Sequence, residues 1–318
     1  MKKIIECVPN YSVGNNPEIL NKICQPFHDE AEVKLLSVEP DDDYNRTVVT
    51  LIGEPQAVLR ALAKSCVLAR DLIDLRKHHG QHKRMGAVDV VPLIPLANLS
   101  EQETISYSQQ LAEMINQASG IPVFLYSLSA TAENRRNLPD IREGEFEGMF
   151  EKTKLPQWQP DYGSGCHPSA GVVAVGCRPL LVAYNIDLNC SDRKIAAAIA
   201  KAIRYSSGGY RCIQAGAARL ADQGIVQVTM NITDYRQTAL YRAFEAVKME
   251  AKRYGVQLSG SEVVGLISLD CLQDVAAYYL GLNCKDDCQL PLNEVVEVVK
   301  KALLLRDFDE RKVIEYYL

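Results

Sequence analysis

Apolar and polar positions follow two rhythms along the first half of the chain, and each rhythm predicts a different element. Short apolar or alternating runs predict strands at 4–8, 33–38, 46–52, 88–96 and 122–126. Apolar residues three and four positions apart predict helices at 16–27, 56–75 and 101–118, the first with Asn15 or Asn16 as its cap. The predicted order is βαββαβαβ.

The second half has a similar pattern, although no residue-level repeat accompanies it. Strands are predicted at 180–186, 211–216, 225–232 and 263–268. Helices are predicted at 192–205, 239–254, 271–280 and 293–305, with Ser191 as the cap of the first. This order predicts an α/β protein of the α+β type, with two similar layers that each carry helices on one face of a sheet.

Length and charge limit the class of protein. A chain of 318 residues is long enough for about two domains. The formal net charge of −5 excludes a nucleic-acid binder that acts through bulk charge, so any basic site must be local. No window approaches 18 uninterrupted apolar residues, and Glu6 interrupts the short apolar start. We therefore expect a cytoplasmic protein with no signal peptide and no membrane contact.

The ten cysteines are scattered, mostly through apolar surroundings, and only Cys284 and Cys288 form a close pair. A long chain with its own core does not need disulfides, so reduced thiols are expected. Zinc at this pair is disfavoured because no second cysteine or histidine pair follows to complete four ligands. The sequence predicts neither a metal nor a structural disulfide.

The most informative stretch is residues 76–89, which holds three of the five histidines together with two lysines and two arginines. It precedes the apolar run 90–96, so proton-transfer groups and cations gather where a buried strand begins. Such a cluster suits an anionic substrate, and His82 could serve as a general acid and base. The alternative is a solvated basic turn. A zinc site at His78 and His82 is disfavoured by Gly80 and the flanking cations.

Three further positions could bind substrate. Arg46 begins a strand after the acidic turn 41–43, where it could clamp a carboxylate or simply pair with that turn. Glu39 and Asp43 could orient a histidine or hold an amine, or they could be ordinary turn carboxylates. Residues 9–12 leave a strand for a helix, where free amides can hold an anion or merely form a capped turn.

Residues 155–171 are rich in glycine and proline and contain the only tryptophan. A long loop in a compact chain is often functional, although an ordered surface connector is the alternative. Gly163 and Gly165 do not form a dinucleotide fingerprint, because the third glycine and the strand–helix context are missing. A phosphate-binding P-loop and a serine nucleophile elbow are also absent from the sequence.

Ten segments taken in order resemble glutamate formimidoyltransferases, the formiminotransferase part of the formiminotransferase–cyclodeaminase family. The resemblance runs nearly end to end, and so many ordered matches are more specific than any one of them. The segments are 6–12, 45–48, 78–89, 142–145, 160–163, 167–171, 183–186, 227–231, 260–265 and 313–316.

The resemblance implies a fold, an activity and a site. The fold would be two similar subdomains, 1–178 and 179–318, each a mixed sheet with helices on one face and with a cleft between them. The activity would be transfer of a formimino group from N-formimino-L-glutamate to N5 of tetrahydrofolate, the co-substrate, in histidine degradation. His82 would be catalytic. Substrate would bind at Asn10, Glu39, Asn45, Arg46, Lys83 and Arg84, and folate at Gly163, Ser164, Gly165, Cys166, His167, Pro168, Ser169, Ala170, Gly171 and Val172.

Some positions depart from the family pattern. Glu39 stands where aspartate is usual, Tyr44 where many relatives have histidine, Ser164 in place of a proline, and Leu128 where a polar residue is common. Relatives form dimers or larger assemblies, so a homodimer is expected. The chain stops where fused relatives continue into a cyclodeaminase, so that activity is expected to reside in a separate protein. The alternatives are an enzyme acting on 5-formyltetrahydrofolate and a folate-binding module without turnover.

Overall fold

A computed structural model describes residues 2–80, 82–220 and 224–318, so Gln81 of the histidine segment lies outside the described residues. The chain divides into two compact units, the first ending at Arg178 and the second beginning at Pro179. The two units are described separately below. Each combines one sheet with packed helices, which confirms the predicted α/β class and the two similar parts.

The first unit contains seven strands and five α-helices among its described residues. The strands are β1 (Ile4–Cys7), β2 (Asn10–Tyr11), β3 (Val33–Asp41), β4 (Arg46–Gly53), β5 (Val88–Ala97), β6 (Val123–Leu125) and β7 (Val173–Cys177). The helices are α1 (Pro17–Asp29), α2 (Pro55–Leu72), α3 (Glu101–Ser119), α4 (Leu138–Arg142) and α5 (Glu145–Lys152).

The first sheet is mixed, as expected. β3 pairs with β4, and β1 and β2 lie one after the other between β4 and β5. These pairings are antiparallel, whereas β7 runs parallel to both β5 and β6. The sequence pattern did not predict β7, because its residues follow a glycine-rich loop and all five are buried, which removes the alternation that marks a half-exposed strand.

Both faces of the first sheet are covered. Val123 and Leu125 of β6 point into the core formed with α1, α2 and α3. Phe124 between them points to a second, smaller apolar cluster with Ile141 and Met149 of α4 and α5. Successive strand residues point to opposite faces, so α4 and α5 pack on the face opposite the three long helices. These two helices are too short to be predicted from periodicity.

The second unit has strands β8 (Val182–Leu188), β9 (Ile213–Leu220), β10 (Ile225–Ile232) and β11 (Leu258–Val264), and helices α6 (Arg193–Ile203), α7 (Leu240–Arg253), α8 (Leu269–Leu280) and α9 (Leu292–Leu303). Its sheet has the order β11-β8-β10-β9, and every described pairing is antiparallel rather than mixed. Strand direction does not follow from alternation, because either direction leaves the same face buried.

Two boundaries in the second unit differ from the prediction. Strand β11 begins at Leu258, five residues before the predicted start, because Leu258–Gly260 pair with β8 through a bulge. Asp192, not Ser191, caps α6, since its carboxylate accepts a hydrogen bond from the Lys194 amide. In the first unit, Asn16 caps α1 as expected, and its side chain accepts from the Ile19 amide.

Candidate functional site

The histidine loop between α2 and β5 is anchored by the turn that joins β3 to β4. The side-chain amide of Asn45 donates to the carbonyl oxygen of His79 at 2.7 Å. Nε2 of His78 forms a hydrogen bond with the backbone carbonyl oxygen of Asn45 at 2.8 Å. Gly80 lies so close to the turn that an added Cβ would sit 2.5 Å from the Tyr44 carbonyl oxygen. A side chain at residue 80 would therefore push the loop away.

Asp89 enters the site through a bulge in β5. Asn10 and Tyr11 of β2 pair with Val90 and Val88, so Asp89 has no partner of its own in that register. Its side chain is fully buried. One carboxylate oxygen accepts the Met85 amide at 2.8 Å, and the other accepts both Nε and Nη2 of Arg142.

The surroundings of Asp89 keep it ionised. Burial by itself would raise its pKa, but Arg142, His82 and the Met85 amide together hold the pKa below its usual value. A buried carboxylate that is paired and hydrogen-bonded remains charged at neutral pH. The charge therefore acts directly on His82.

His82 lies beside this carboxylate at the edge of a pocket. Its side chain is 10% exposed, and Nε2 lies 3.6 Å from Oδ2 of Asp89, within ion-pair range but beyond a hydrogen bond. Nε2 has no hydrogen-bond partner among the described residues. Burial lowers the pKa of His82; Asp89 opposes this shift, and Arg142 and Arg46 reinforce it. The imidazole is therefore neutral at pH 7 and able to accept a proton.

The pocket has a volume of about 730 Å³ and is lined wholly by residues of the first unit. Its wall carries the imidazole of His82, the cations of Lys83 and Arg142, and the ring of Tyr44. The acidic residues Asp140, Glu143, Glu145 and Glu147 also line it. The pocket thus offers charges of both signs around one neutral base, which suits a small substrate that carries both.

Arg46 has a buried donor that the protein does not use. Its Nε is buried without a hydrogen-bond partner, and no ion pair joins it to the turn carboxylates in the described part of the chain. Asp41 instead accepts the Tyr44 amide, and Asp42 accepts the Asn15 amide. Burial and the nearby Arg142 lower the pKa of Arg46. Asp41 of the acidic turn and Asp89 oppose this shift through space, but no ion pair joins Arg46 to Asp41 among the described residues.

Arg84, predicted to bind substrate, has partners within the protein. Its guanidinium is buried and donates to Glu145 at 3.0 Å and to Glu147 at 2.6 and 3.0 Å. These bonds attach the histidine loop to the start of α5. Direct substrate binding by Arg84 would require these bonds to break. Lys83 next to it is exposed and lines the pocket.

The other predicted substrate contacts have structural partners. Asn10 donates to the Val8 carbonyl oxygen at 3.0 Å, and Asn45 accepts the Gly14 amide with its free oxygen. Glu39 is half-buried on β3 opposite Val48. Asn45 has a positive φ of 49°, which its side-chain hydrogen bonds help to maintain. Asn45 shapes the site by joining the turn 41–45 to Gly14 and to the histidine loop through its side chain.

The loop 163–172 is ordered and runs beside the histidine loop. Nδ1 of His167 accepts the amides of Ser169 and Ala170 at 3.3 and 3.0 Å. The carbonyl oxygen of Ala170 accepts the Ala87 amide, and the Val172 amide donates to Met85. The end of the loop is therefore bonded to residues that follow His82, but no residue of 163–172 lines the described pocket.

Comparison with known proteins decides the family. The model of the formiminotransferase domain, N-terminal subdomain, matches residues 4–178, and that of the formiminotransferase domain matches residues 183–318. The chain belongs to the formiminotransferase family.

Relatives of this formiminotransferase chain include proteins named glutamate formimidoyltransferase and proteins named formimidoyltransferase-cyclodeaminase. It is 46% identical over 284 residues to a glutamate formimidoyltransferase of Streptococcus pyogenes serotype M1, covering 89% of this chain and 95% of that protein. It is 38% identical over 286 residues to a glutamate formimidoyltransferase of Thermoplasma acidophilum, covering 89% and 94%. It is 38% identical over 290 residues to a formimidoyltransferase-cyclodeaminase of Rattus norvegicus, covering 88% of this chain and 53% of that protein.

Two residues of the formiminotransferase site were not predicted as site residues. Asp89 had a signal in the sequence, since it is the one charge inside the apolar strand 88–96. Arg142 had none, because its contact with Asp89 spans 53 residues. Within the described ranges no group of three or more metal-ligating side chains occurs, and no helix is long and apolar enough to cross a membrane. All ten cysteines are free.

Proposed function

We propose that this formiminotransferase transfers the formimino group of N-formimino-L-glutamate to N5 of tetrahydrofolate, producing 5-formiminotetrahydrofolate and L-glutamate in histidine degradation. The names of the relatives and both domain matches support this reaction. The structural observation that carries it is a buried, neutral imidazole that lies beside a paired carboxylate and lines a charged pocket.

The reaction requires one proton to change place. N5 attacks the formimino carbon, a new C–N5 bond forms, and the π electrons of the imine move to its nitrogen. The electron pair on that nitrogen then re-forms the C=N bond, the bond from the carbon to the glutamate nitrogen breaks, and the glutamate nitrogen leaves with its electron pair. The proton lost from N5 is the proton gained by the glutamate nitrogen, so one base that accepts and returns it suffices.

His82 is suited to this task because its pKa is held below the ordinary value by burial and by two neighbouring arginines. It is therefore unprotonated when the substrates arrive. Once it has taken the proton, the nearby Asp89 carboxylate stabilises the imidazolium. A base that holds the proton only weakly also returns it readily to the leaving nitrogen.

The carboxylates of the substrates need cations, and the pocket region supplies them. We assign Arg46 and Lys83 to the carboxylates of formiminoglutamate, since Arg46 has an unused buried donor and Lys83 faces the pocket. Asn10, Glu39 and Asn45 would shape this site, and loop 163–172 would hold tetrahydrofolate. In this proposal no metal takes part in the reaction.

A mass-resolved assay with formiminoglutamate and tetrahydrofolate tests the proposal. The wild type should release glutamate and a folate carrying one formimino group. His82→Gln should lose about 10²–10⁴-fold in kcat with folate affinity nearly unchanged, the range typical of general acid–base catalysis. His79→Gln is the matched control, because His79 is exposed and offers only its backbone oxygen to Asn45.

Other results would lead to different conclusions. Activity with 5-formyltetrahydrofolate in place of formiminoglutamate would identify a formyl-handling enzyme. Folate binding without turnover of either donor would identify a binding module. Near-normal kcat in His82→Gln would remove His82 from the mechanism.

The wider setting follows from the same family membership. We propose that the two units, 1–178 and 179–318, are the N-terminal and C-terminal formiminotransferase subdomains. The protein would act in the cytoplasm as a homodimer, and a separate cyclodeaminase would use its product. Light scattering coupled to size-exclusion chromatography tests the dimer, for which a monomeric mass would be the contrary result.

A further inference from the structure

Asp89 and Arg142 form the one buried ion pair that directly faces His82 in the described residues. Oδ2 of Asp89 receives the guanidinium of Arg142 and lies 3.6 Å from Nε2 of His82. The other oxygen is held by the Met85 amide. The carboxylate is therefore fixed from two sides, with Oδ2 close to the imidazole.

We propose that Asp89, clamped by Arg142, is a positioning residue that turns Nε2 of His82 toward the carboxylate and leaves Nδ1 for the reacting nitrogens. This proposal rests on the proposed function, in which His82 carries the proton. It assigns a role to two residues that do not themselves touch the reacting atoms.

The carboxylate beside Nε2 determines the tautomer of His82. A carboxylate accepts hydrogen bonds and cannot donate them, so the neutral imidazole that faces it carries its proton on Nε2. Nδ1 then has a free lone pair. N5 of tetrahydrofolate delivers its proton to Nδ1, and the same Nδ1–H later protonates the leaving glutamate nitrogen. At 3.6 Å the contact with Asp89 is loose, and apo sites of this kind tighten when substrate binds.

The bulge in β5 explains how the carboxylate reaches this place. Val88 and Val91 both point into the core with the long helices, while Val90 belongs to the cluster on the opposite face. The extra residue in β5 makes this spacing possible, since a regular strand would place Val88 and Val90 on the same side. Asp89 is thus held by a paired strand of the sheet.

Arg142 also connects two elements of the fold next to His82. It belongs to the last turn of α4 and lines the pocket, and its ion pair with Asp89 joins α4 to β5. Several charged or titratable groups act on His82: Asp89 of β5, Arg142 of α4, Arg46 of β4 and His78 of its own loop. Asp89 is the only one of these that favours the protonated imidazole.

The test is Asp89→Asn in the full chain, which preserves shape and the acceptor for the Met85 amide but removes the charge. We expect kcat to fall at least about 100-fold while both KM values stay within about threefold. The acid limb of the kcat/KM profile should move to lower pH, because the group that raises the pKa of His82 is gone. NMR titration of the His82 imidazole, assigned with His82→Gln, should show the same shift.

Asp161→Asn is the matched control for loss of a paired aspartate. Asp161 accepts the Leu125 amide at 2.8 Å and pairs with Arg135 at 2.6 Å, and both side chains are nearly buried. This variant should lower the melting temperature in the same way as Asp89→Asn. It should leave the acid limb and the His82 titration in place, since Asp161 does not act on His82.

A double-mutant cycle separates positioning from folding. If Asp89 acts through His82, adding Asp89→Asn to His82→Gln should change the remaining kcat by less than about twofold. Fully additive losses would overturn the proposal, as would an unchanged His82 titration in Asp89→Asn. If His82→Gln itself stays active, the proposed function fails; if it is inactive and Asp89→Asn is active, only the positioning role fails.

Discussion

The variant Arg46→Ala tests whether Arg46 binds substrate or stabilises the fold. The guanidinium of Arg46 is largely buried, its Nε has no partner, and its pKa is lowered by burial and by Arg142. A buried cation without a bonded carboxylate costs folding free energy and does not add to it. We therefore expect Arg46→Ala to unfold at the same temperature as the wild type or slightly above it.

Binding should respond in the opposite sense. A hydrogen bond from a charged donor contributes roughly 1.5–3 kcal/mol, so losing it should raise the KM for formiminoglutamate by about ten- to a hundredfold. Arg46 also lowers the pKa of His82. Its removal should move the acid limb of kcat/KM to higher pH, because the neutral base then forms only at higher pH.

The assay is initial-rate kinetics at fixed, saturating tetrahydrofolate, with thermal unfolding measured on the same samples. Arg136→Ala is the control, because Arg136 is an exposed surface arginine paired with Glu133 in an exposed ion pair. Arg142→Ala provides the structural contrast, since it would leave Asp89 buried and unpaired, a change that typically costs about 3–5 kcal/mol. An unchanged KM together with a lower melting temperature in Arg46→Ala would refute the reasoning.

Three further predictions follow from single contacts. Arg84→Ala should lower stability by about 1 kcal/mol in thermal unfolding, because its carboxylate partners are partly exposed, and it should leave KM nearly unchanged. Burial lowers the pKa of His167 in the folded protein. The contribution of His167 to the free energy of unfolding is therefore complete above the unfolded pKa near 6.5 and is lost as pH falls through the lower folded value. The free energy of unfolding of the wild type should fall more between pH 7 and pH 5 than that of His167→Gln. Gly86→Ala should unfold at a much lower temperature than Gly165→Ala, because a Cβ at residue 86 would lie 2.1 Å from the Val172 carbonyl oxygen, whereas residue 165 faces open space and has only the strain of a φ of 67°.

Some of this protein could be predicted from the sequence alone because the signals are local. The long helices α1, α2 and α3 follow from apolar spacing and from caps such as Ser100, which forms a capping box with Glu103. The histidine cluster is informative in the same way, since three imidazoles and four cations next to an apolar strand restrict the chemistry before any fold is known. The ten ordered segments that resemble the formiminotransferase family then indicated the reaction.

The tertiary structure decided which of these charges are available. Arg84 and Arg46 look equivalent in sequence, yet Arg84 is bound to Glu145 and Glu147, whereas Nε of Arg46 has no partner. The distinction depends on side chains 61 and 63 residues away from Arg84 along the chain. No local pattern encodes such contacts.

The pKa of His82 also depends on contacts that are distant along the chain. Local sequence determines that an imidazole lies in a glycine-bounded loop before a buried strand. The pKa of that imidazole depends on Asp89 across a strand bulge, on Arg142 from α4 and on Arg46 from β4, which only packing brings together. Electrostatic effects act through space over a few ångströms, and chain folding alone sets those distances.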